Sequence, residues 1–133
     1  MANEITYAVS LAASKGGASI SSGTLSDTVS MTGSDMQSGT QTIEYHASTA
    51  EVLSYNSTDI TGNCHFVIKN LDATYSVKVS TLATFDADSI MSILAPGEAA
   101  SFRGIAANKI FLVATTDPGS DPDPVIQYWI CEV

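Results

Sequence analysis

Positively charged side chains are scarce in this sequence, which has 5 lysines and arginines against 14 aspartates and glutamates and a formal net charge of −9. Proteins that bind nucleic acids gain most of their affinity from lysine and arginine side chains that neutralise phosphates. The five basic residues here are scattered and form no cluster: Lys15, Lys69, Lys78, Arg103 and Lys109. The sequence therefore argues against a nucleic-acid partner, and the same negative charge opposes contact with anionic membranes.

Cysteine is also rare, with Cys64 and Cys131 as the two examples. Two cysteines do not make the disulfide framework of a small secreted domain. Each lies in an apolar run, where a free thiol usually behaves as a small buried hydrophobic side chain. A chain of this length buries about two-thirds of its unfolded surface and needs no disulfide to fold. The sequence leaves open whether the two cysteines pair.

Long apolar runs are absent, which excludes two further classes. The opening segment MANEITYAVSLAASKGG lacks the basic and continuous apolar regions of a signal peptide. No stretch approaches the roughly 20 apolar residues that span a bilayer as a helix. We therefore expect no membrane partner, and a protein that stays in the cytoplasm where it is made or leaves it inside a particle.

What the chain does contain is alternation of apolar and polar residues, almost from end to end. Such alternation is typical of strands that bury one face; Cys64, Phe66 and Ile68 share one face of the clearest run. Roughly eight to ten such runs predict an antiparallel β-sandwich or jelly roll with at most one short helix. We expect a single domain over residues 1–133, in which the Ser-, Thr- and Gly-rich segment 12–42 forms a loosely packed arm or edge strands.

Two pairs of runs indicate hairpins. In FVIKNLDATYSVKVS, residues 66–80, Asn70 and Asp72 belong to the polar break and supply turn chemistry. In SIMSILAPGEAASFRGIA, Pro96 and Gly97 suit the two central positions of a type II turn.

Helical signals are confined to FDADSIMSIL, residues 85–94. One helical turn could form there with Asp86 or Asp88 as its N-cap. The spacing of Ile90, Ile93 and Leu94 is the pattern that favours it.

Residues able to carry catalysis are few. A histidine metal site needs two or three convergent ligands, so His46 would have to recruit Glu44 or a distant group. His65, the other histidine, alternates with Cys64 and Phe66 and is expected to point to solvent. The sequence has no G-x-S-x-G elbow, P-loop, dinucleotide fingerprint or CxxC. We expect no enzyme, and no catalytic, cofactor-binding or metal-binding residues.

One acidic loop and one aromatic residue have alternative interpretations. The loop DPGSDPDP, residues 117–124, places Asp117, Asp121 and Asp123 together, but it lacks the EF-hand spacing and is stiffened by proline. We interpret it as a rigid acidic loop, and whether it binds a cation stays open. Trp129 lies in the apolar run VIQYWICEV and is expected in the core rather than at an interface.

Three phrases of the sequence together resemble a known family. They are ANEITYAVSLAASKGG followed by VSMTG, then FVIKNLDATYSVKVS, and finally LAPGEAASFRG. This layout is similar to the small single-domain virion proteins encoded among the structural genes of tailed bacteriophages. The resemblance covers most of the chain, although Tyr75 stands where those relatives have Asn.

The resemblance implies a non-enzymatic part of the virion, assembled in the host cytoplasm. The expected role is a capsid decoration (cement) protein that binds and stabilises the major capsid protein shell, as a homo-oligomer and in particular a homotrimer. One alternative is a tail or head–tail component. Another is a carbohydrate- or receptor-binding β-sandwich with a stacking platform of aromatic side chains: Tyr7, Tyr45, Tyr55 and Trp129. No functional residues follow from the resemblance.

Overall fold

Antiparallel strands arranged in three sheets make up most of the chain. The computed structural model describes residues 4–30, 35–47, 49–84 and 89–133. Its ten strands are β1 (Glu4–Lys15), β2 (Ala18–Ser30), β3 (Met36–Thr42), β4 (Glu51–Val52), β5 (Asn63–Asn70), β6 (Val77–Ser80), β7 (Ile90–Leu94), β8 (Ala99–Ala106), β9 (Phe111–Ala114) and β10 (Val125–Glu132). Among the described residues the helical content is one 3-10 turn, Ala107–Lys109. The predicted antiparallel β-sandwich is confirmed.

Two four-stranded sheets enclose the core of the sandwich. The front sheet has the strand order β3-β10-β5-β8, and the back sheet has the order β4-β9-β6-β7. Each pair of neighbouring strands is antiparallel. Alternation along the strands turns one set of side chains inward, and both sheets contribute to the resulting core: Phe66, Ile68, Ile126 and Ile130 from the front sheet, and Val77, Val79, Leu94 and Leu112 from the back sheet.

The segment 66–80 does not form the expected hairpin. β5 belongs to the front sheet and β6 to the back sheet, so the polar break between them is a corner that joins the two sheets. At this corner the fully buried Asn70 side chain donates from Nδ2 to the carbonyl oxygens of Tyr75 (2.8 Å) and Leu94 (3.1 Å). Its Oδ1 accepts the backbone N–H of Asp72 at 3.0 Å. A polar break with turn chemistry indicates a change of direction, but not whether the chain stays in its sheet.

The second expected hairpin is also a crossing between sheets, because β7 lies in the back sheet and β8 in the front sheet. The turn itself is present as predicted: Gly97 has a φ of +78°, and the Glu98 N–H donates to the Ala95 carbonyl at 3.0 Å. The expectation of a helical turn within residues 85–94 is wrong for the last five of them, since Ile90–Leu94 is strand β7. Asp86 and Asp88 lie outside the described residues.

The β1–β2 hairpin forms a sheet of its own, outside the sandwich. Its strands pair over most of their length around Gly16 and Gly17, which adopt φ values of +59° and +87° that favour glycine. Almost every described side chain in it is exposed. Within the segment 12–42, the described residues fall on the distal part of this hairpin and on β3, an edge strand of the front sheet.

The two cysteines are free thiols. Cys64 pairs in register with Glu132, and Cys131 pairs with His65, so the two sulfurs start from opposite faces of the front sheet. Burial, followed by the nearby Glu132 carboxylate, raises the pKa of the Cys64 thiol to about 11. Burial also raises the pKa of Cys131. Both thiols are therefore protonated and weakly reactive at neutral pH.

Candidate functional site

The outer face of the front sheet is distinct in charge from the rest of this acidic molecule. Three cross-strand rows define it, and none of their residues is an aspartate or glutamate. The rows are Met36-Cys131-His65-Arg103, Ser38-Trp129-Val67-Ser101 and Thr40-Gln127-Lys69-Ala99. Two of the five basic residues of the chain are here. This outer face therefore presents neutral and basic side chains on a protein of net charge −9.

Trp129 lies on the outer face and not in the core, contrary to expectation. It is 39% exposed, beside the partly exposed Val67 on the neighbouring strand. The inner face of β10 is already filled by Ile126, Tyr128 and Ile130, so alternation places Trp129 outside. Since both faces of the strand are apolar in sequence, the pattern alone could not assign the tryptophan to either one.

His65 is buried, and the expectation that it points to solvent is wrong. It is 6% exposed, and its Nε2 lies 2.7 Å from the Ser101 hydroxyl on the neighbouring strand β8. Burial, followed by the nearby Arg103 guanidinium, lowers the pKa of His65 below its usual value. The pair contains two of the three residue types of a serine–histidine–acid triad, and the three described rows of the outer face contain no aspartate or glutamate.

The β1–β2 hairpin runs beside the outer face. A shallow groove of about 550 Å³ separates them, lined by β1 between Thr6 and Ser10 and by Val67 and residues 99–101 of the front sheet. The hairpin has three charged residues in positions 4–30, namely Glu4, Lys15 and Asp27. Its exposed side chains include large apolar ones, among them Val9, Ile20 and Leu25. A weakly charged, partly apolar arm thus adjoins a face without carboxylates.

A separate cluster brings His46 together with Glu44 and Glu51. His46 Nε2 lies 3.4 Å from Glu44 Oε2 and 3.8 Å from Glu51 Oε1. Glu44 and His46 belong to the segment that follows β3, and Glu51 opens β4 on the edge of the back sheet. The sequence indicated Glu44 as a possible partner of His46, but Glu51 was missed because only the fold brings it near.

The acidic loop 117–124 uses its carboxylates for local hydrogen bonds. Asp117 Oδ1 accepts the Gly119 N–H at 2.8 Å, and Asp121 Oδ2 accepts the Tyr75 hydroxyl at 2.8 Å. Across residues 4–30, 35–47, 49–84 and 89–133, the single group of three or more His, Cys, Asp or Glu side chains with converging ligand atoms is the Glu44–His46–Glu51 cluster. The three aspartates of the loop form no such group.

The four aromatic residues considered for a stacking platform have different environments. Trp129 and Tyr45 are exposed, whereas Tyr55 packs against the hydrophobic core. The side chain of Tyr7 lies outside the described residues.

One further pocket, of about 260 Å³, lies between the segment 55–61 and the 3-10 turn. Its lining includes Tyr55, Ile60 and Asn108 but no histidine, cysteine or carboxylate.

No helix in the described part of the chain has the length and apolar character that a bilayer crossing requires. No family model, no curated protein and no solved structure matches this chain. The structural features that bear on its function are therefore the outer face, the β1–β2 hairpin and the Glu44–His46–Glu51 cluster.

Proposed function

We propose that this chain is a non-enzymatic structural protein of a phage virion, namely a capsid decoration protein that binds and stabilises the major capsid shell. The observation that carries the proposal is the weakly charged β1–β2 hairpin beside a carboxylate-free outer face. These two adjacent surfaces offer apolar and neutral side chains to a partner, whereas most of the negative charge lies elsewhere on the chain. The resemblance of its three sequence phrases to phage virion proteins supports the same role.

The hairpin supports docking because two strands alone bury little apolar surface. An isolated two-stranded hairpin is marginally stable in water, and packing against another surface stabilises it. Val9, Ile20 and Leu25 are each more than half exposed, so a partner surface that covered them would gain hydrophobic contact. A shell with many identical sites would need only a modest interface per copy, on the order of 800 Å² per partner.

The charge distribution supports self-association through the same surfaces. Two copies with a net charge of −9 each repel one another. The hairpin carries a net charge of −1, and the outer face adds the cations Lys69 and Arg103. We place the contacts of a homotrimer, and those with the shell, on these two surfaces. The acidic remainder faces outward, away from packaged DNA.

Purified virions of the phage that encodes the chain provide the direct test. We expect mass spectrometry to find the polypeptide in intact virions, in a fixed ratio to the major capsid protein, and the purified protein to bind expanded capsids that lack it. Its detection in isolated tails and not in capsids would establish the tail alternative. Its absence from virions, together with a monomeric mass at about 100 μM and no binding to capsids, would reject the proposal.

Substitutions in the hairpin test which surface docks. Val9→Ser and Leu25→Ser should weaken capsid binding at least tenfold while leaving the sandwich folded, because both side chains are exposed in the free chain. Ile93→Ser is the matched control, since Ile93 is 52% exposed on β7 of the back sheet. Equal weakening by the control would place the contact elsewhere.

A carbohydrate-binding function is the second candidate, and the exposure of Trp129 favours it. An indole on an open sheet face can stack on a sugar ring, and this indole is the sole tryptophan of the chain. Tryptophan fluorescence therefore reports directly on this surface. Saturable quenching or enhancement by a glycan selected on an array, lost in Trp129→Ala, would establish this function, and an unresponsive array and spectrum would exclude it.

A further inference from the structure

We propose that Glu44, His46 and Glu51 bind a divalent transition-metal ion, with Zn²⁺ as the preferred ion. This site is independent of the proposed docking surfaces, because none of its residues belongs to the hairpin or the outer face. It combines one imidazole nitrogen with two carboxylate oxygens, a donor set that suits zinc.

The distances between the donor atoms agree with a shared ion. Zinc bound tetrahedrally at about 2.0–2.1 Å separates neighbouring donor atoms by roughly 3.3 Å. His46 Nε2 lies 3.4 Å from one carboxylate and 3.8 Å from the other. All three ligand atoms lie within 4.8 Å of one another. After small side-chain movements the three donor atoms would therefore occupy three corners of a tetrahedron around the ion, and water would supply the fourth ligand.

The charge of the cluster favours a divalent cation. Within the described ranges, the ion-pair contacts of Glu44 and Glu51 are those with His46. Two carboxylates thus share one imidazole, which leaves an excess of negative charge whether or not the imidazole is protonated. The imidazole also discriminates between ions, because calcium and magnesium prefer sites made entirely of oxygen ligands.

Residues outside the cluster hold one of the ligands in position. The Gln41 side chain on β3 donates from Nε2 to Glu51 Oε2 at 3.3 Å and to the Val52 carbonyl at 3.2 Å. Its Oε1 accepts the Ser54 N–H at 2.8 Å, which fixes the amide orientation. Such second-layer hydrogen bonds orient carboxylates in metal sites. Because the backbone N–H of Glu44 also donates to Glu51 Oε1 at 2.7 Å, two ligands are connected before any ion binds.

The position of the cluster suggests what the ion does. Gln41 is on the edge strand β3 of the front sheet, and Glu51 is on the edge strand β4 of the back sheet. A bound ion would link Glu44 and His46, which follow β3, to Glu51 at the start of β4, and so connect the edges of the two sheets. An ion that binds the folded chain and not the unfolded chain raises the melting temperature, and above the dissociation constant the stabilisation grows with the logarithm of the free ion concentration.

Titration of the full chain with zinc chloride in metal-free buffer tests the proposal. We expect calorimetry to show one saturable ion per chain, and about 1 mM Zn²⁺ to raise the melting temperature by several degrees. Calcium at the same concentration should leave the melting temperature unchanged, because calcium prefers sites made entirely of oxygen ligands. Cobalt(II) should give the strong visible absorption of tetrahedral coordination.

Four variants decide whether these residues are the ligands. His46→Gln and Glu51→Gln should abolish the zinc response while circular dichroism shows an unchanged fold. Two control variants should keep the zinc response. They are Glu4→Gln, on the exposed strand β1, and Cys131→Ser, which removes a competing thiol. A wild-type chain without heat or melting shift at about 1 mM Zn²⁺, or His46→Gln with an undiminished shift, would overturn the proposal.

Discussion

Single polar residues decide where this chain crosses between its sheets. Asn70 belongs to the phrase NLDAT, whose polar character predicts a turn. The structure shows what this side chain does. The buried amide of Asn70 donates hydrogen bonds to the carbonyls of Tyr75 and Leu94 and so holds the corner between β5 and β6. That role depends on Leu94, which is distant in sequence, and no local pattern could show it. The burial of Trp129 and His65 was mispredicted for a related reason, because alternation alone does not decide which face of a strand is buried.

Asn70→Ala should destabilise the protein by about 2–4 kcal/mol. The substitution removes three hydrogen bonds from a fully buried side chain and leaves their backbone partners without a replacement. Urea denaturation measures the change. Asn108→Ala is the control, because Asn108 is exposed in the 3-10 turn and should alter the midpoint little. Equal midpoints for the two variants would contradict the role of the corner.

His65 should make stability depend on pH. Its pKa in the folded chain is lowered from 6.5 by burial and by Arg103, so below about pH 6.5 the unfolded chain binds the proton more readily. The free energy of unfolding should therefore fall as the pH drops from 7 to 5.5, and His65→Gln should lose less stability over that range. Urea midpoints at each pH, compared between the two proteins, measure this difference. An identical pH profile would show that His65 is not responsible.

The strands are the scale at which sequence was most informative. Their positions could be predicted from alternation and from Gly, Pro, Asn and Asp in the breaks, and the Pro96-Gly97 turn formed as expected. Their partners could not be predicted. Both expected hairpins are crossings between sheets, because pairing is set by packing across the whole core. The Glu44–His46–Glu51 cluster could be predicted only in part for the same reason. Glu44 and His46 are near in sequence, but Glu51 joins them only because the fold places β4 beside them.

Hydrogen exchange should separate the hairpin from the sandwich. The exposed amides of β1 and β2 should exchange in the free chain with little protection, whereas β5 and β10, inside the front sheet, should open only with global unfolding. Mass spectrometry of peptides from timed labelling measures both. The capsid binding proposed above should then protect the hairpin. Protection of the free hairpin equal to that of β5 would show that it needs no partner.

Calcium should leave the melting temperature unchanged. Asp117 and Asp121 are engaged in local hydrogen bonds, and the three aspartates of the loop do not converge. Differential scanning fluorimetry with and without about 1 mM calcium measures the effect. A rise of several degrees that disappears in Asp121→Asn would instead establish a cation site in the loop.

The whole molecule is an acidic body with one weakly charged side. The fold class was predictable because hydrophobic alternation and low charge extend over the entire chain. The charge asymmetry could not be predicted from the sequence, because it depends on which residues share the outer face. Mutual repulsion between copies with a net charge of −9 should limit any assembly that relies on contact between them.

Salt should therefore strengthen self-association. Screening at about 0.3 M sodium chloride shortens the range of repulsion to a few ångströms, while apolar contacts through the hairpin remain. Sedimentation equilibrium at low and high salt should give a lower dissociation constant at high salt. Weaker association at high salt would show that direct pairing of Lys69 and Arg103 with carboxylates of a neighbouring copy dominates.

The order of the front sheet has a consequence for biosynthesis. β10 is made after every other strand, yet it lies between β3 and β5. At common translation rates, about 5–20 s pass between the emergence of β3 from the ribosome and that of β10. During that interval β3 lacks β10, the strand with which it pairs in the described part of the chain. A nascent chain stalled before Val125 should thus be a substrate for chaperones and proteases, and tags placed next to β10 should lower yield more than tags placed before β1.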